Sequence, residues 1–180
     1  MNNQITTQEE ISSKTKTAII DEAKRIEENS LHTAKGHFEA AQFWANFHLW
    51  IGIPAVVLAG IAGAAAFAKL DQNNIIAGIL SLIVVVLTSI TTFLNPKDRS
   101  SSHLSAGNNY DSLLTRVRIF WTIDCRGEDS DSVLAIKIKD FSDQRDKLNR
   151  ECLQVPKRAF IKAKKGIEAG EATYRVDQKS

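Results

Sequence analysis

Proline, cysteine and methionine are scarce in this chain, at three, two and one among 180 residues. Proline is the residue that breaks a helix interior, so long stretches are free to run as uninterrupted helix. Cys125 and Cys152 lack the close spacing of a metal site, and two cysteines make no disulfide framework. In a reducing compartment such as the cytoplasm they stay reduced. The net charge is only +2, with no single-sign arm or patch, so nucleic acid is not an expected partner. No HExxH, glycine-rich phosphate loop or CxxC occurs, which removes the common metal-hydrolase, nucleotide-hydrolase and redox signatures. Of the histidines, His32 and His37 are five apart and share no helical face. His48 directly precedes an uncharged run, and His103 is considered below. No catalytic residue, metal ligand or cofactor is assigned, and the chain is not expected to be an enzyme.

The most informative absence is charge in the middle of the chain. Between Lys35 and Lys97 the only charged residues are Glu39, Lys69 and Asp71. Two uncharged runs of 20 residues lie there, LWIGIPAVVLAGIAGAAAFA over 49–68 and IIAGILSLIVVVLTSITTFL over 75–94. As helices, each covers about 30 Å, the hydrocarbon thickness of a bilayer. A helix on the surface of a soluble domain would carry a polar stripe, and the first run has none. A chain this short is also poorly able to wrap two such helices inside a soluble bundle. The linker KLDQNN, residues 69–74, is short enough to join only antiparallel neighbours. The expected fold is all-α: a two-helix transmembrane hairpin over 49–94, an N-terminal cytoplasmic helix over 1–48, and a C-terminal cytoplasmic helical region over 95–180. The long cytoplasmic helices pack as a bundle. The first apolar run begins only at residue 49, too late for a cleavable signal peptide.

Orientation follows from Lys and Arg near the spans. The linker carries only Lys69, beside Asp71, whereas Lys35, Lys97, Arg99, Arg116 and Arg118 lie on the other side. Both termini are therefore expected in the cytoplasm. Phe43, Trp44, Phe47 and Trp50 open the first span and Phe93 closes the second, which places aromatic rings together at one interface.

Small residues recur every four positions in the first span, as Ala55, Ala59 and Gly63 and as Gly60, Ala64 and Ala68. That spacing lets helix backbones approach closely in lipid, and two such faces would serve the second helix and a neighbouring subunit. Pro54 is expected to kink this span, and Pro96 to end the second. On the second span, Gly78, Ser81, Val85, Thr88, Thr92 and Asn95 are spaced three and four apart and share one face. Two readings stand for that stripe: an uncharged pore lining in an oligomer, or hydroxyls bonded to carbonyls of their own helix. Neither span holds Asp, Glu, Lys or Arg, which argues against a proton relay or an ion-coupled transporter.

Before the first span, Thr7 and Glu10 fit a capping box. Ile19, Ala23, Ile26, Ser30, Ala34, His37, Ala41 and Trp44 trace one apolar face of a helix continuous with the span. After Pro96 another helix carries Leu113, Leu114, Val117 and Phe120 on one side, weakened at its start by Gly107, Asn108 and Asn109. His103 and Tyr110, seven apart, form a cytoplasmic structural pair. After a loop at 126–131, Leu134, Ile138, Phe141, Arg145, Leu148 and Cys152 keep a heptad rhythm suited to a partner helix, until Pro156. A last helix over 157–170 bears Arg158, Lys162, Lys164 and Lys165, cations that suit either a solvated face or acidic lipid heads.

The aromatic approach Trp44 to Trp50, then GIPAVVLAGIAGAAAF, a short loop and IIAGILSLIVVVLTSITTFLNP, followed by His103, Ala106, Tyr110, Leu113 and Arg118, together resemble the SLATT family of bacterial two-transmembrane effector proteins. Pro156, Ala163, Lys164, Ile167 and Gly170 also match. The order and spacing carry the resemblance rather than any single motif, and it covers most of the chain. It implies an effector of antiviral conflict systems that assembles as a homo-oligomer in the bacterial inner membrane, with both termini cytoplasmic. Such an effector permeabilises the membrane on infection and kills or arrests the cell, as in abortive infection. It implies no catalytic residues. The trigger is left open between a nucleotide second messenger and a sensor protein. The alternative expectation is a membrane-anchored interaction module that recruits a partner through its cytoplasmic helices without a pore.

Overall fold

The computed structural model describes residues 2–68 and 75–174, with side chains from Ser12 onward except that of Ala68. Among them there is no strand. Five α-helices follow in order: α1 Asn2–Ala68, α2 Ile75–Leu94, α3 Pro96–Thr122, α4 Asp131–Glu151 and α5 Lys157–Glu168, with a short 3-10 turn at Asp124–Arg126 between α3 and α4. The expected all-α class holds. Two helical stretches are long and apolar enough to cross a membrane. The linker over 69–74 and the side chains of Thr7 and Glu10 lie outside the described residues. The helix already begins at Asn2, so Thr7 stands within it and not at its cap.

The chain divides into two units, one made of residues up to Glu39 together with those from His103, the other of Ala40–Ser102. The division falls inside helices, after Glu39 within α1 and before His103 within α3. In the first unit the stripe Ile19, Ala23, Ile26, Ser30, Ala34 and His37 is buried along its whole length. It meets the buried side of α3, Leu113, Val117 and Phe120, and with Cys125 and Leu134 these make the core. Ile138, Phe141 and Leu148 of the heptad stretch pack against it half-buried. A three-helix bundle of α1, α3 and α4 results, since each helix has one apolar stripe that only another helix can cover.

The glycine expected to weaken α3 has a packing role. A Cβ on Gly107 would stand 2.6 Å from Cε1 of Phe38, so only glycine lets the Phe38 ring lie against the α3 backbone. Gly36 does the same for Val155, whose Cγ1 would be 2.8 Å from an added Cβ. On the far side of the loop, α4 stops at Glu151 because Cys152 is already extended (φ −85, ψ 154), four residues earlier than Pro156 suggests.

In the second unit α2 ends where expected. Asn95 adopts φ 44, a conformation Asn tolerates better than most residues, and Pro96 starts α3. Arg99 caps the end: its Nε donates to the Leu94 carbonyl at 2.9 Å. Its guanidinium also lies 5.1 Å from the Trp44 ring centre. Ser100 Oγ donates to the Ala41 carbonyl at 2.9 Å. Pro54 lies inside α1 and leaves one backbone acceptor there without its usual donor.

Candidate functional site

The hairpin is covered along one seam. On α1 the buried or half-buried residues over 51–67 are Ile51, Gly52, Ala55, Leu58, Ala62, Gly63 and Ala65. On α2 they are Ala77, Leu80, Val84, Leu87, Thr91 and Leu94. The α2 set keeps a three–four rhythm, as do Ile51, Ala55, Leu58, Ala62 and Ala65 of α1, the spacing of helices that pack side by side; Gly52 and Gly63 border the α1 row. The seam therefore runs through Ala55 and Ala62, cutting across the two small-residue faces read from the sequence. Ala59, Gly60 and Ala64 are exposed, whereas Gly63 is half-buried at the border of the seam. A Cβ added at Gly60, Gly63 or Gly78 would meet nothing within 4 Å.

All six stripe residues, Gly78, Ser81, Val85, Thr88 and Thr92 of α2 and Asn95 just beyond its end, are exposed; the five on α2 flank the seam, about 100° round the helix from it. The hydroxyls are bonded locally. Ser81 Oγ donates to the Ala77 carbonyl at 2.8 Å and Thr92 Oγ1 to that of Thr88 at 2.9 Å. Thr88 donates to Val84. Ser89 and Thr91, off the stripe, do likewise to Val85 and Thr88. An outward hydroxyl bonded this way keeps its oxygen lone pairs available, so the stripe presents acceptors without an unsatisfied donor. No residue of α2 is buried; Trp50, Val56 and Phe67 on α1 and Leu82 and Phe93 on α2 are strongly exposed. Apolar exposure on that scale marks a surface made for lipid or another chain.

The first unit holds a second candidate, a buried polar cluster. His37 on α1 and His103 on α3 meet Nδ1 to Nδ1 at 2.9 Å. The Tyr110 ring stacks on His37 with centres 5.7 Å apart and planes at 16°. Tyr110 donates its hydroxyl to Asn149 Oδ1 on α4 at 2.7 Å. Burial first, then His103, holds the His37 imidazole down at about 4. Burial and then the neighbouring Cys152 push the Tyr110 phenol up to about 12, against Arg145. Both groups are thus kept neutral at pH 7. The pair expected as His103 with Tyr110 is a chain of four side chains centred on His37. Its sequence signal was present: His37 sits on the same apolar stripe as Ile26 and Ala34. Thr33, Cys152 and Val155 join His37, Tyr110 and Asn149 around a pocket of 320 Å³.

A larger groove, 540 Å³, lies between α1 and α3 under residues 171–174. Its polar groups are mutually engaged: Trp121 Nε1 donates to Glu27 Oε2 at 2.5 Å, Lys35 reaches Glu171 at 3.7 Å, and Arg118 lies 4.8 Å from the Tyr174 ring centre. Among the described residues no group of three or more His, Cys, Asp or Glu is placed to hold a metal ion. No family model, curated protein or solved structure matches the chain.

Proposed function

We propose that the chain is a membrane-embedded effector that oligomerises and permeabilises the membrane when triggered, with the hairpin as its working part and the helical bundle as its control. The observation that carries this reading is the α2 stripe. Its hydroxyls lie on the exposed flank of the hairpin seam, where in an oligomer they would turn toward neighbouring subunits or a central path. The open Gly60 and Ala64 face supplies a close-approach surface for such assembly. The resemblance to the SLATT effectors supports a bacterial inner-membrane setting and antiviral defence, with both termini cytoplasmic. A nucleotide second messenger or a sensor protein then acts on the bundle as trigger. Induced expression should collapse membrane potential and admit an excluded dye. Intact potential and dye exclusion, even with neighbouring genes co-expressed, would refute the proposal.

A second reading has its own support. The hydroxyls of Ser81, Thr88 and Thr92 are already bonded within α2, which suits a helix facing lipid. The hairpin is then an anchor, and the bundle recruits a partner protein. Single-channel recording on purified protein in planar bilayers separates the two readings, since an anchor is electrically silent.

A further inference from the structure

The C-terminal helix α5 packs on the bundle through its smallest residues. Ala159 and Ala163 are buried, while the larger Phe160 and Ile161 are each 44% exposed. Ile161 is two residues from both Ala159 and Ala163, and at about 100° per residue that points it away from the bundle. The positions three and four residues to either side of Ile161, which share its face, are Lys157, Arg158, Lys164 and Lys165. All four are exposed cations. Glu168 reduces the charge at one end by approaching Lys164 at 3.8 Å. The fifth cation of the helix is engaged elsewhere, since Lys162 Nζ pairs with Glu39 Oε2 of α1 at 2.7 Å and ties α5 to that helix. The outer face of α5 therefore carries one branched apolar side chain flanked by four exposed bases, with Glu168 at its C-terminal end.

We propose that this face is an interfacial anchor that docks on anionic phospholipid headgroups, Ile161 entering the headgroup layer while Lys157, Arg158, Lys164 and Lys165 pair with phosphates. The proposal rests on the reading of the chain as membrane-embedded. Charge complementarity selects the occupant, because bases around an exposed apolar residue match an anionic, amphipathic surface. The long stems of Lys and Arg lie along apolar surface with their charge in the polar layer. The chain supplies proximity. Glu39, the residue that holds Lys162, stands ten residues before the first apolar run, a separation of about 35 Å at most even when fully extended. Tethered that closely, a weak surface affinity suffices, since docking is an intramolecular event.

The test uses the full chain with Cys152→Ser and Ile161→Cys, labelled at the new thiol with an environment-sensitive fluorophore. Cys125 is buried and shielded from label. The protein is reconstituted into vesicles of phosphatidylcholine alone or mixed with phosphatidylglycerol. Docking predicts a blue shift and quenching by brominated lipid in the anionic vesicles. Quenching by aqueous iodide should fall at least about threefold there and recover in high salt or when the four bases are changed to Gln. A probe that stays iodide-accessible in anionic vesicles overturns the proposal. So does one that enters lipid equally in neutral vesicles or in the Gln variant, or is shielded only on adding RNA. A parallel label at Ile79→Cys reports the hairpin. If that probe is in lipid while the α5 probe is in water, only the docking proposal falls; if it is also in water, the membrane reading falls with it.

Discussion

His37 and His103 share a single line of contact, Nδ1 to Nδ1 at 2.9 Å, inside a bundle where both side chains are almost fully buried. Two imidazoles in that geometry hold one proton between them comfortably, as one must donate and the other accept. A second proton on the facing nitrogens would set two N–H groups against each other and leave an imidazolium in a poorly solvated site.

Acid should therefore loosen the bundle. An unfolded histidine takes up its proton near 6.5, but folded His37 does so only at about 4. Between those values the unfolded state binds more protons, so stability is fully present above about pH 6.5 and is lost as pH falls toward 4. The expected loss is about 3 kcal/mol at most. Thermal unfolding of the solubilised protein across that range measures it. The slope should flatten in His37→Gln; an unchanged slope in that variant would assign the acid sensitivity elsewhere.

The same stripe of α1 contains Ser30, buried, with no hydrogen-bond partner for its Oγ among the described residues. A buried hydroxyl without a partner keeps its desolvation cost, and serine is a poorer helix former than alanine. Ser30→Ala should raise stability by about 1 kcal/mol, visible as a higher midpoint in chemical denaturation. A destabilised variant would show that the hydroxyl has a partner in solution.

The stripe from Ile19 to Ala41 was legible because a helix buried on one side repeats its apolar residues near 3.6, and the sequence keeps that period. Leu113, Leu114, Val117 and Phe120 were legible for the same reason. What escaped were relations that only tertiary packing creates. His37 and His103 are 66 positions apart, and nothing local announces their contact. Gly107 reads as a helix weakness until Phe38 is seen lying where a Cβ would be. On the hairpin, spacing named the small residues, but four-residue repeats admit several faces. The covered seam follows the three–four rhythm through Ala55 and Ala62, leaving Gly60 and Ala64 outside it.

That division yields a paired expectation. A Cβ added at Gly60 or Gly63 meets no described atom within 4 Å inside one chain. Gly60→Leu with Gly63→Leu should insert and fold normally yet lose cross-linked oligomers about tenfold, because close helix approach in lipid needs small residues. Ala62→Leu instead enlarges a buried seam position and should disturb the hairpin itself, detected as greater protease sensitivity. Unchanged oligomers in the glycine variant would remove that face from the assembly.

The α2 hydroxyls can be tested without disturbing the helix that carries them. Ser81, Thr88 and Thr92 bond to carbonyls one turn back, and those carbonyls also serve the backbone ladder, so losing the hydroxyl leaves no backbone group unsatisfied. Valine matches threonine in shape, and alanine favours the helix more than serine. The combined variant Ser81→Ala, Thr88→Val, Thr92→Val should keep its helical circular dichroism and its insertion into vesicles. If the stripe lines an ion path, removing its oxygens takes away the groups that replace water around a passing ion, and a dry constriction resists wetting. Unitary conductance in planar bilayers should then fall about tenfold or more while oligomers still form. Equal conductance in variant and parent would place the path elsewhere, and a parent that conducts nothing would favour the anchor.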